Sequence, residues 1–142
     1  MKVFIDACCF FSAFRSPSGG SALILQFARA GKFQMFTNET VVDEACRNLH
    51  KKESPEKAAQ FLQFLREVPV KILPPPTREE EQHWAKETHQ KDAHVLASAI
   101  KAHVDYVVTL DKQHLLIPKL KKIFPISIKN TKDFLAELLS SE

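Results

Sequence analysis

Short, mostly apolar runs, each separated from the next by a helical pattern, are the feature that most restricts this chain. The runs are "KVFI" at 2–5, "FQMFT" at 33–37, "VKIL" at 70–73, "YVVTL" at 106–110 and "PISI" at 125–128. They are too short for helices, and the clearest of them do not alternate between apolar and polar residues. Strands of that kind are covered on both faces, as in a parallel sheet. Amphipathic stretches lie between them. In 21–30, Leu23, Phe27 and Ala30 share a face with Ile24, and Gly31 suits the cap that follows. In 39–52 the apolar positions are Val41, Ala45 and Leu49. Ser54 and Pro55 open a third helix with a stripe of Ala58, Phe61, Leu62 and Leu65. Thr77 with Glu80 forms a capping box for an acidic helix carrying Trp84. Residues 92–104 have apolar positions at 95, 96, 99, 100 and 103/104, and "NTKDFLAELL" supplies a last capped helix. The alternation predicts an α/β fold over residues 1–142 as a single domain. Its architecture is a three-layer α/β/α sandwich with a mainly parallel sheet of about five strands. Strand order stays open.

Composition narrows the class. Hydrophobic residues make up 44% and charged residues 26%, which is ordinary globular usage. No apolar run approaches the ~20 residues of a bilayer span, so no membrane partner is expected. A strand pattern starts within two residues of Met1, so the expectation is no signal peptide and a cytoplasmic location. The net charge of +3, Lys51 beside Lys52, and "KLKK" at 119–122 lean modestly toward a polyanionic partner such as nucleic acid. Three cysteines (Cys8, Cys9, Cys46) without CxxC spacing read as small buried hydrophobes. The six histidines (50, 83, 89, 94, 103, 114) match no zinc ligand pattern, and His83 and His89 read as surface residues.

The acids carry the chemistry. Two strand patterns end in one: "VFI" in Asp6 and "YVVTL" in Asp111. In open parallel sheets, ligands occupy the crevice beyond the carboxyl ends of the strands. If those two strands are neighbours, about 4.8 Å apart, the carboxylates share that crevice. Asp92 precedes Val95, Leu96 and Ala99 by three, four and seven residues, which turns it toward the apolar face of its helix. Capping that helix is its alternative role. On the 39–52 helix, Asp43 and Glu44 both lie at the margins of the apolar stripe, and phase does not choose between them. Carboxylates ~4 Å apart repel by about 4 kcal/mol at an effective dielectric of about 20. A cluster of three or four therefore needs a cation or raised pKa values. Oxygen-only donors suit Mg²⁺ or Mn²⁺, which points to metal-dependent phosphoryl chemistry without choosing the phosphate substrate.

With those residues in view, the chain resembles the PIN-domain nucleases, in particular the group regarded as toxins of toxin–antitoxin pairs (VapC-like ribonucleases). "VFIDACCFFSAF" is similar to the family's opening strand, acid and helix. "SPSGGSALILQFARAGKFQMFTN" is similar to the next helix and strand. "ETVVDEACRNL" resembles the helix with the family glutamate, which falls on Glu44. "DAHVLASAIKAHVDYVVTLDKQHLL" resembles the motif that ends the set, with Asp92, Asp111 and Thr109 as the small hydroxyl residue. The resemblance implies an endoribonuclease that hydrolyses RNA phosphodiester bonds. It places Mg²⁺ or Mn²⁺ among Asp6, Glu44, Asp92 and Asp111, which would be the catalytic as well as the metal residues, activating water against the RNA phosphate. It further implies a homodimer and a cognate antitoxin. Cys8 and Thr109 would support the metal ligands from behind. Cys8 departs from the family's Asn, Ser or Thr, and a thiol is a weaker donor. Lys91 stands where many relatives carry another acid. Lys91 and Lys112 are candidate phosphate contacts.

Three rivals follow. The first is a catalytically weak or inactive PIN module that binds RNA or docks a protein. The second is a response-regulator receiver, for which the paired acids after the first strand are missing. The third is a haloacid-dehalogenase-type phosphatase, which lacks its second Asp because Cys8 stands there.

Overall fold

A computed structural model of the protein describes residues 1–141. The elements run β1 (Lys2–Ile5), α1 (Ala7–Arg15), α2 (Gly20–Arg29), β2 (Gln34–Asn38), α3 (Glu39–Lys52) and α4 (Pro55–Glu67). They continue with β3 (Val70–Leu73), α5 (Arg78–Ala85), a 3₁₀ turn (Gln90–Asp92), α6 (Ala93–Ala102) and β4 (Tyr106–Val108). The last are α7 (Pro118–Ile123), β5 (Ser127–Lys129) and α8 (Thr131–Ser140).

All strand pairs are parallel, in the order β3-β2-β1-β4-β5. The chain steps outward from β1 to β2 to β3, then returns across the sheet to β4 and β5. Right-handed crossovers in opposite directions place helices on opposite faces. Accordingly α1 packs on α2, α3 and α4, α8 packs on α2, and α5 packs on α6. This is the expected α/β/α sandwich. A receiver has the order 2-1-3-4-5, so that rival falls away.

Local chemistry explains where elements begin and end. Residues Val3, Phe4 and Ile5 are fully buried, as a central strand requires. α2 ends on Gly31, whose φ of +78° suits a residue without a Cβ. There the Gly31 N–H donates to the Ala28 carbonyl and the Lys32 N–H to the Phe27 carbonyl, a Schellman closure. The core includes Phe61 of α4, whose ring meets Phe10 at 5.1 Å and Phe14 at 5.7 Å.

Several boundaries and faces differ from expectation. α2 is held between α1 and α8, so its buried residues are Ser21, Ala22, Ile24, Leu25 and Ala28. Leu23 and Ala30 are exposed. α6 begins at Ala93 and stops at Ala102, because His103 takes a left-handed φ of 53°. β4 stops at Val108, and β5 pairs only from Ser127, which lies opposite Tyr106 at the start of β4. α7 holds the "KLKK" run, a helix the apolar pattern did not announce.

One residue joins the two helices that flank the sheet end. Asn38 closes β2 and caps α3, its Oδ1 accepting the Val41 N–H at 2.8 Å. Its amide nitrogen donates to Ser98 Oγ at 2.8 Å and to His94 Nδ1 at 3.1 Å, both on α6. Burial pushes the His94 imidazole down to about 4, so at neutral pH the ring is uncharged and Nδ1 accepts. Asn38→Ala removes the cap and leaves two buried groups unpaired. A loss of about 2–4 kcal/mol in urea unfolding is expected, and a loss below about 1 kcal/mol would contradict this role.

Candidate metal centre

Parallel pairing of Ile5 with Val108 brings the ends of β1 and β4 side by side. The Asp6 N–H donates to the Val108 carbonyl at 3.1 Å and so continues the ladder by one bond. Asp6 then caps α1, its Oδ1 accepting the Ala7 N–H at 2.8 Å. Its Oδ2 accepts the Thr109 hydroxyl at 2.7 Å. Burial pushes the Asp6 carboxyl up to about 6; the bonds from Thr109 and Ala7 offset part of this, and the charge of Glu44 adds to it.

Thr109 is fully buried and links two acids, because its oxygen also accepts the Asp111 N–H at 3.1 Å. Asp111 Oδ1 accepts the N–H groups of Gln113 and His114 at 3.0 and 2.9 Å. Asp92 ends the 3₁₀ turn before α6, and its side chain makes no capping hydrogen bond. Its Oδ2 is buried with no hydrogen bond among the described residues, although His114 Nδ1 lies 3.1 Å away. Burial raises the Asp92 carboxyl, and Asp111 raises it further against the opposing His114, Lys91 and His89. Glu44 on α3 is raised by burial and then by Asp92, with Lys91 and Arg47 opposing. Asp43 is exposed, so the structure separates two neighbours that helical phase left equal.

Asp6, Glu44, Asp92 and Asp111 thus line one open groove at the carboxyl end of the sheet, where the strand order reverses. Cys8, Lys91, Arg47, Asn48, Lys51, Lys52 and His114 share its walls. On α3, Glu44, Arg47, Asn48 and Lys51 follow at i, i+3, i+4 and i+7, so one helix face carries an acid at the centre and bases farther along. Lys112 is exposed and does not line the groove; neither does "KLKK", where Lys119 instead faces Glu87 at 3.8 Å. Cys8 is not simple core. Its Sγ lies 3.5 Å from both Asp6 Oδ2 and Thr109 Oγ1 and accepts the Leu110 N–H at 3.2 Å. Cys9 does pack inside. The sequence pattern missed His114, for which the only signal was its place three residues after Asp111.

Among the described residues, ligand atoms within 4.8 Å of one another belong to Asp92, Asp111 and His114, while Asp6 and Glu44 line the same groove outside that cluster. The raised carboxyls of Asp6, Glu44 and Asp92 and the unbonded buried oxygen of Asp92 are what a divalent cation would relieve. The residues present fit Mg²⁺ or Mn²⁺.

Comparison with known proteins bears on the family and the fold. A family model described as PIN domain matches residues 2–113. No curated protein matches the chain. Among solved structures, PAE2754 from Pyrobaculum aerophilum shares 14% identity at a TM-score of 0.66, covering 99% of this chain and 96% of that one. DNA-bound VapBC from Salmonella typhimurium shares 14% at 0.64, covering 92% and 98%. VapC20 from Mycobacterium tuberculosis, described as a sarcin-ricin loop cleaving toxin, shares 12% at 0.58, covering 74% and 86%. At such identities the likeness to solved structures concerns the fold.

The raised Asp6 carboxyl makes a stability prediction with a definite sign. Its stabilising protonated form is fully present below the ordinary value of 3.8 and is lost as pH rises through about 6. In chelator at pH 7.5, Asp6→Asn should therefore be more stable than wild type by roughly 2–3 kcal/mol, the gap closing toward pH 4. Added Mn²⁺ should raise the melting temperature of wild type far more than that of the variant. A variant less stable at pH 7.5 would mean that the lost hydrogen bonding outweighs desolvation.

Proposed function

We propose that this chain, which belongs to the PIN domain family, is a metal-dependent endoribonuclease that hydrolyses RNA phosphodiester bonds. The observation that carries this reading is the convergence of Asp6, Glu44, Asp92 and Asp111 on one groove whose next wall is basic. We assign all four as ligands of Mg²⁺ or Mn²⁺. A divalent ion there supplies charge shielding at a phosphate and lowers the pKa of water.

The chain's own residues do the rest. Asp6 is held at both oxygens, by Ala7 and by Thr109, so its carboxylate cannot swing out of the groove. Thr109 and Cys8 brace it from behind. Arg47, Asn48 and Lys51 extend along α3 from Glu44, and together with Lys52 and Lys91 they offer donors to a polyanionic backbone. The groove is open to solvent, which suits cutting within a strand. The likeness to structures described as a VapC toxin and as VapBC supports a toxin with a cognate antitoxin as partner. A homodimer and a cytoplasmic location complete the proposal. No helix among the described residues is long and apolar enough to cross a membrane.

A second reading has its own observation. Cys8 Sγ stands 3.5 Å from Asp6 Oδ2 where the family has an Asn, Ser or Thr, and a thiol is a weaker donor, which favours a module that binds RNA or a protein without cutting. A single assay separates the two. With end-labelled RNA and Mg²⁺ or Mn²⁺, the nuclease reading expects internal cleavage that chelator abolishes. Asp6→Asn and Asp92→Asn should each lower the rate on the order of 10²-fold or more. Binding without cleavage in all three proteins would favour the module. Growth arrest on expression, relieved by Asp6→Asn, would support the toxin role. Replacing Arg47 and Lys51 together with Gln should weaken RNA binding and flatten its log–log salt slope by about 1.4; an unchanged slope would remove α3 from the contact.

A further inference from the structure

The histidine in the acidic groove is held more firmly than a surface side chain needs to be. The His114 N–H is bound by Asp111 Oδ1, and its carbonyl accepts the Thr88 hydroxyl. Its ring packs against that of His89 at a 45° tilt, with centroids 4.8 Å apart. These contacts aim Nδ1 at Asp92 Oδ2, 3.1 Å away, and Asp111 Oδ2, 3.4 Å away. One donor atom from each of the three residues lies within 4.8 Å of the others. Two donors in neighbouring octahedral positions, each about 2.1 Å from an ion, lie about 3.0 Å apart. The spacings around His114 Nδ1 are close to that value. Asp92 Oδ2 is also the buried oxygen left without a hydrogen bond.

An all-oxygen set has little means of choosing between Mg²⁺ and Mn²⁺. An imidazole nitrogen does, because affinity for nitrogen rises along the first transition series while Mg²⁺ keeps to oxygen and water. We infer that His114 is a further metal ligand, acting through Nδ1 beside Asp92 and Asp111, and that it biases the site toward Mn²⁺ over Mg²⁺. The inference rests on the metal site proposed above and adds a selectivity device to it. As a ligand, Nδ1 would offer its lone pair to a cation placed beside the two carboxylates, with the ring proton on the other nitrogen.

The test reads metal binding directly, on the full chain, with Mn²⁺ alone and with Mg²⁺ alone. Pulsed electron paramagnetic resonance of the Mn²⁺ complex should show nitrogen coupling in wild type and in His89→Ala, and none in His114→Ala. Calorimetry should show His114→Ala weakening Mn²⁺ about tenfold or more and Mg²⁺ less than about threefold. His114→Asn offers an oxygen donor at the same reach; it should keep Mg²⁺ binding near wild type and lower the Mn²⁺ preference, and it serves if the alanine variant does not fold. No nitrogen coupling in wild type would overturn the inference, and so would tighter binding of both ions by His114→Ala, which would make the histidine an internal counter-cation. Nitrogen coupling in a protein that cuts no RNA would sink the nuclease reading and leave this assignment standing.

Discussion

A buried hydrogen bond of 2.7 Å from Thr109 to Asp6 joins the tips of the two central strands. The other acidic positions are set out from that junction. Thr109 can reach Asp6 only because Ile5 lies opposite Val108, so residues 6 and 109 emerge side by side. The same hydroxyl oxygen accepts the Asp111 N–H, which fixes where the next acid starts. Charge that would relax outward on a loop is thus held against its own repulsion by a rigid sheet. Burial first, and the neighbouring carboxylates after it, raise the carboxyls of Asp6, Glu44 and Asp92. Stability given up here is recovered elsewhere, in the aromatic packing of Phe10, Phe14 and Phe61 and in the clamp made by Asn38.

Much of the fold was legible in the sequence, because the strands are short and apolar and the helices carry clear caps. Ser54, Thr77 and Asn130 all cap as their side chains suggest. What local patterns could not reveal was strand order, since any arrangement of buried strands has the same hydropathy. The stripe of α2 departs from its periodicity because its burial is decided by α1 and α8, whose packing on it local spacing does not encode. In the site, Asp6 and Asp111 stood out as acids ending apolar runs, whereas Glu44 needed the resemblance to separate it from Asp43. His114 was invisible for a different reason: a histidine three residues beyond a strand-end acid has no hydropathy signature, and its role depends on a turn that folds it back. Lys112 shows the reverse failure, a plausible basic residue that the same turn carries away from the groove.

The groove is polar along its length. On α3 a single face begins with Glu44 and continues into Arg47, Asn48 and Lys51, so one helix supplies a cation site and a neighbouring anion track. Lys91 sits at the boundary, where it opposes the raised carboxyls of both Glu44 and Asp92. A polyanion lying along the bases would bring its negative charge up to the cation site, and the two attractions would fix its direction of approach as well as its affinity.

The passage from strand to helix has no slack at either of two places. Asp6 is the single residue between β1 and α1, and Asn38 belongs to β2 while capping α3. With 3.6 residues to a turn, one residue inserted after either would rotate the following helix by about 100°. After Asn38, that rotation would take Glu44 off the groove and bring Asp43 round. The length of each of these two joints therefore sets the phase of the helix that follows it, and with it which side chains face the groove.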